Sequence, residues 1–157
     1  SLIFMNKKPS FWKYKFEDWS RDFTSLANPL ILVFVPFAVM GFQSLFYKLL
    51  ILLLINEVLG SLIKIIFPKK RPNGQTYSNL IEKIDAGSFP SLHSSRITLV
   101  YLSLFSFTDI LGLKLAFLAV IPIVMLSRVQ LKKHFWTDII GGFVIGLLIW
   151  ILSQNYF

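Results

Sequence analysis

Long apolar runs separated by short polar stretches set the pattern of this chain. A helix needs about 20 residues to cross the roughly 30 Å hydrocarbon core of a bilayer, and five runs of about that kind are read at 26–46, 49–67, 92–107, 113–127 and 135–152. The third and fourth reach a full span only with their polar ends included. Ahead of the first run, FWKYKFEDWSRDF (residues 11–23) alternates aromatics with charges of both signs, which suits a helix lying in the membrane interface. The first run begins well inside the sequence and is too long for the apolar region of a cleaved signal. Without an internal repeat or a low-complexity linker, the expected architecture is an all-α integral membrane bundle. It has about five transmembrane helices and an N-terminal interfacial helix in a single domain over 1–157, with 1–24 interfacial and 25–157 forming the bundle.

Parity along the chain then groups its polar residues. The second run ends near Lys64 and the third begins near His93, so the connection between them keeps both ends on one membrane face. The third and fourth runs cross and return, which brings Ser127 and Arg128 back to that face, where the fifth run starts after His134. Lys64, Arg71, Ser91, His93, Arg128, His134 and Asp138 therefore fall at one depth on one side. Ionisable groups at membrane depth are costly enough that such convergence implies a functional polar site.

Composition sharpens this picture. Of the 157 residues 55% are hydrophobic and 16% aromatic, more than a small soluble core can hide. The absence of cysteine excludes disulfides and thiolate metal sites. A net charge of +8 would point to nucleic acid in a soluble protein; in a membrane chain, anionic headgroups or phosphorylated lipids are the natural partners and no nucleic acid is expected. The expected location is the cell membrane, as a multi-pass protein.

Two histidines, several permanent cations and one carboxylate are the set that phosphoryl transfer uses. Cations neutralise the phosphoryl oxygens, and the arginine fork matches them geometrically. His134 and Asp138 are spaced i, i+4, so on a helix they share a face. The carboxylate then accepts a hydrogen bond from one ring nitrogen and leaves the other to attack.

The motifs in order are KIIFPKKRP (64–72), which fits K-x6-R-P, PSLH (90–93), which nearly fits P-S-G-H, and SRVQLKKHFWTD (127–138), which fits S-R-x5-H-x3-D. Together they resemble the type 2 phosphatidic acid phosphatase superfamily, lipid phosphate phosphatases that share their site with vanadium haloperoxidases. That resemblance implies a phosphohistidine formed on His134 and oriented by Asp138. It implies His93 as the acid for the leaving group and later the base for water. Lys64, Arg71, Arg128 and Ser91, with the backbone N–H of Leu92, would hold the phosphoryl oxygens, with no metal and no cofactor. Leu92 stands where the motif usually has glycine; if the position needs positive φ or a close backbone approach, that amide contact is strained.

Other polar residues have blander readings. Lys69, Lys70, Lys132 and Lys133 read as cations facing headgroups, Arg96 as a snorkelling side chain or one reaching the site, and Glu57 as a partner within the bundle. Asn28, Pro29, Pro36 and Pro122 read as shaping span ends or kinks.

The expected substrate is a membrane lipid phosphate entering sideways from the bilayer. A polyprenyl diphosphate comes first, since Lys69 and Lys70 offer spare cations for a second phosphate. Phosphatidic acid and phosphatidylglycerophosphate follow. A lipid phosphotransferase using the same site, and a non-enzymatic anion or lipid transporter, are the alternatives from other classes. The positive-inside rule puts the site in the cytoplasm, but cations recruited to bind phosphate inflate that count, and both orientations stay open.

Overall fold

A computed structural model describes residues 42–72 and 87–155. Among them are four helices, α1 (Gln43–Ile66), α2 (Leu92–Phe107), α3 (Leu111–Gln130) and α4 (Trp136–Ser153), and no strand. Helices α1, α3 and α4 are long and apolar enough to cross a membrane. The expected interfacial helix and most of the first expected span lie outside the described residues. The boundary between the first two expected spans needs correction, because Gln43–Phe46 already belong to α1. The backbone there carries no side-chain cap at Phe42, and the polar pair Gln43 and Ser44, read as lying inside the first span, instead opens α1.

Helix α2 is the axis around which the others pack. It has 16 residues, yet Ser94 through Val100 are buried without interruption. A helix buried on every side needs no apolar outer face toward lipid, and so α2 tolerates serine, threonine and arginine along its length. Hydroxyls of Thr98, Ser103 and Ser106 donate to carbonyls one turn back, which satisfies them inside the helix.

The contacts give the direction of each neighbour. From Leu49 with Val100, through Leu52 with Leu99 and Glu57 with Arg96, to Gly60 with Leu92, numbers on α1 rise as those on α2 fall, so the two are antiparallel. Helix α3 is antiparallel too, with Phe117 against Tyr101 and Val124 against Ile97. Pro122 interrupts its ladder from within, leaving the Leu118 carbonyl without its usual donor.

Helix α4 runs parallel to α2. Gly142 lies against the Ser91 carbonyl and Gly146 against the Ser95 carbonyl, so close that an added methyl at either would collide with backbone. Small residues allow this approach, and van der Waals contact then takes the place of a hydrophobic drive that lipid does not supply. The outer faces of α1 and α3, with Leu54, Leu62, Leu113, Leu115 and Leu118 among others, are left exposed as a lipid-facing surface.

Candidate active site

Four stretches meet at the end where α1 and α3 finish and α2 and α4 begin. Backbone hydrogen bonds tie them together: Ser88 N–H to the Lys69 carbonyl at 2.7 Å, and Ser91 N–H to the Asp138 carbonyl at 2.9 Å. Ser91 is the N-cap of α2, its hydroxyl accepting from the Ser94 N–H at 3.4 Å and the Ser94 hydroxyl at 3.1 Å.

Helix α3 stops in a left-handed turn. Lys133 N–H reaches the Arg128 carbonyl at 3.1 Å and Lys132 N–H the Val129 carbonyl at 2.9 Å, with Lys132 at φ 52°. This is the Schellman arrangement with lysine in the place glycine usually takes. The turn leaves Arg128 in the last turn of α3 and brings the chain to His134 within a few residues.

His134 is buried, and it precedes α4 rather than belonging to it. Its Nδ1 lies 2.8 Å from the Ser88 carbonyl oxygen. A carbonyl can only accept, so Nδ1 carries the proton and Nε2 carries the lone pair. Asp138 does not make the expected bond to the ring, for its Oδ2 is 3.9 Å from Nδ1, beyond hydrogen-bond reach. The reason is where the helix starts. With Phe135 as N-cap, Asp138 is the third helical residue and accepts the Phe135 N–H at 2.9 Å, the return half of a capping box. Its carboxylate also accepts from Lys69 Nζ at 2.5 Å and from the Ser88 hydroxyl. Ser88 thus spans the gap, donating its hydroxyl to Asp138 and lending its carbonyl to His134.

The cations gather around this imidazole. Burial comes first, and then the charges of Arg128 and Arg71, with Lys64 adding to them, push the pKa of His134 down to about 3 against the opposing pull of the Ser88 hydrogen bond. The ring is therefore neutral at physiological pH. His93, in the first turn of α2, lies within the electrostatic reach of Arg128, Arg96, His134 and Arg71. Lys64 and Arg128 are both buried. The structure thus brings together Lys64, Arg71, His93, Arg128 and His134, with Asp138 and Ser91 alongside.

A model of the PAP2 superfamily matches residues 45–157, well over half of the chain. The chain belongs to the PAP2 superfamily. No curated protein sequence matches it. Among solved structures, it is similar to a transmembrane PAP2-type phosphatidylglycerolphosphate phosphatase from Bacillus subtilis, with a TM-score of 0.68 and 23% identity over 96% of this chain and 78% of that one. At that identity the likeness concerns the fold.

The departure of this PAP2 chain from its motif at Leu92 finds an explanation. Leu92 opens α2 in ordinary backbone geometry, and Lys132 is the one non-glycine residue at positive φ among the described residues. The Leu92 side chain occupies the notch left by Gly60 on α1, where a methyl group would collide with it. Arg96 neither snorkels nor turns to the site: its guanidinium forks onto Glu57, with Nη2 at 2.6 Å from Oε2. Ser88, the Gly60 notch and the Lys69 contact escaped the sequence reading, since each depends on a partner distant in the chain.

Proposed function

We propose that this protein hydrolyses a phosphate ester of a membrane lipid through a covalent intermediate on His134. The observation that carries this reading is the held tautomer: a buried neutral imidazole, proton on Nδ1 toward Ser88, lone pair on Nε2, within the field of Arg71, Arg128 and Lys64. In the first step Nε2 forms a bond to phosphorus as the bond from phosphorus to the lipid oxygen breaks, and His93 supplies the proton to that oxygen. In the second, His93 takes a proton from water, whose oxygen bonds to phosphorus and releases the histidine and inorganic phosphate. Lys64, Arg71, Arg128, Ser91 and the Leu92 N–H face the equatorial oxygens, where negative charge gathers in the transition state. The family match and the PAP2-type phosphatase neighbour support a lipid phosphatase.

The substrate reading moves toward a phosphomonoester of the phosphatidylglycerophosphate or phosphatidic acid kind. Lys69, one of the two cations set aside for a second phosphate, is occupied by Asp138 and Thr137, its Nζ lying 2.5 and 2.7 Å from them. That leaves the case for a polyprenyl diphosphate resting on Lys70. A phosphate-release assay on the purified protein with a panel of lipid phosphates, with and without chelator, tests reaction, substrate and metal independence together. Monoester turnover unaffected by chelator is the expected result. Preference for the polyprenyl diphosphate would reverse the substrate assignment, and release from no lipid would end the phosphatase reading.

A further inference from the structure

Lys64, Gly60 and Asn56 follow one another at single-turn intervals along the buried face of α1. Gly60 therefore lies one turn, about 6 Å, deeper in the bundle than the lysine assigned to the phosphoryl oxygens. A methyl group added at Gly60 would lie 2.2 Å from Cδ2 and 3.5 Å from Cγ of Leu92, so the end of that side chain fills the notch. On α2, the Ser94 N–H is taken by the Ser91 hydroxyl and the Ser95 N–H by the Ser91 carbonyl. The N–H groups of Leu92 and His93 are then the ones that α2 presents at its start. The Ser91 carbonyl also lies against Gly142 of α4, where an added methyl would sit 2.3 Å away. The Ser95 hydroxyl donates to the Leu92 carbonyl at 3.1 Å. The head of α2 thus has no room to retreat toward α4.

We propose that Gly60 is a positioning residue for the reaction assigned above, because its notch parks the Leu92 side chain. At a position where the motif usually has no side chain, leucine brings an isobutyl group into the first turn of α2, beside the amide assigned to a phosphoryl oxygen. Seated against Gly60, that group sets the distance between two parts of the phosphate pocket, Lys64 on α1 and the Leu92 N–H on α2. Closing the notch leaves two responses. Either α1 is pushed off and carries Lys64 with it, or the leucine turns out and crowds the turn around its own amide. Each displaces a group that holds phosphate, and a misplacement of about 1 Å in such a site costs up to about 10²-fold in rate. The proposal rests on the phosphatase reading for its purpose, while one arm of its test does not need turnover.

A double-mutant cycle isolates this contact. Gly60→Ala should lower kcat/KM on a lipid phosphomonoester in detergent micelles by about tenfold, the scale on which packed neighbours couple, with the loss in kcat rather than KM. Binding of vanadate, which takes the trigonal-bipyramidal shape of the transferring group, should weaken by a similar factor in calorimetry without turnover. In a Leu92→Gly background the notch is empty, and Gly60→Ala should change both quantities by no more than about twofold, whatever Leu92→Gly costs by itself. There it should raise the melting temperature, since alanine replaces glycine inside a helix. Equal losses in both backgrounds, no loss in either, or a lowered melting temperature with unchanged vanadate affinity of the folded protein would each overturn the proposal. If Gly60→Ala alone does not fold, the double variant decides. Vanadate binding equal to that of Leu92→Gly upholds the notch, and a double variant that is unfolded or binds no vanadate overturns it. A wild-type chain that releases no phosphate from any lipid ends the phosphatase reading separately, with the vanadate cycle still deciding the role of Gly60; one that binds no vanadate overturns the proposal.

Discussion

Two carboxylates are taken out of bulk water in this bundle, and their surroundings differ. Glu57, midway along α1, meets the Arg96 fork on α2 and no other described partner. Asp138, at the start of α4, shares its oxygens among a lysine, two hydroxyls and a backbone N–H. The first is a link between two helices: fork and carboxylate satisfy each other, and its bearing on the site is the charge that Arg96 presents to His93. The second is a junction at which α4 begins, the segment after α1 is held, and Ser88 is set for His134. An ion pair of the first kind matters to how firmly helices stay together, and one of the second kind matters to what the neighbouring ring can do.

That contrast can be broken from the site side first. His134→Ala should abolish phosphate release, by about 10³-fold or more, while the protein stays folded in detergent; retention of more than a trace would remove the nucleophile assignment. Asp138→Asn should lower kcat by about 10² to 10⁴, since the attacking nitrogen survives but the cluster that orients Ser88 does not. At the mid-bundle pair the order of effects inverts. Arg96→Met should leave Glu57 unmatched and reduce stability by about 1–3 kcal/mol in a detergent melt, with kcat in the surviving fraction close to wild type. A large loss of kcat without loss of stability would show that Arg96 belongs to the site after all.

The pH profile sharpens the same comparison. The pKa of His134 is lowered, to about 3, so the neutral nucleophile persists well below the ordinary histidine value and its loss comes only as pH falls toward that number. In kcat/KM, which reports the free enzyme, no acidic limb should appear near pH 6.5, the unperturbed value. The smallest effect expected is at the far end of the bundle. Lys114, paired loosely with the exposed Asp109 at 4.0 Å, should be replaceable by methionine with no measurable change in kcat, as isolated surface pairs contribute little.

Most of the bundle was legible because apolar runs end where charges begin: α4 was expected at 135–152 and lies at Trp136–Ser153, and α2 falls on its expected bounds. The junction near Phe42 was not, since Gln43 and Ser44 are flanked by apolar runs and read as polar positions within one span rather than as the start of a helix. At the site the three motifs named the residues that converge, because parity follows from span count alone. What they did not convey was who bonds to whom. His134 and Asp138 look like neighbours on one helical face, whereas the helix begins between them, at a phenylalanine with no side-chain acceptor to mark it. The signal that was present is Asp138 itself, an acid three residues after the N-cap. Ser88 lies 50 positions from its carboxylate and Lys69 lies 69, separations that no local pattern encodes.

The seam between α2 and α4 has a mechanical meaning. Carbonyls of Ser91 and Ser95 rest directly on Gly142 and Gly146, with no side chain between to act as a spring. A membrane that thins or thickens is met by tilting of its helices, and α2 and α4, locked along this seam, can tilt only together. His93 at the head of one seam helix and His134 just ahead of the other, the two histidines of the proposed site, travel as one rigid plate. Bilayers of different thickness should therefore alter how a lipid reaches the site far more than the spacing of the two histidines within it.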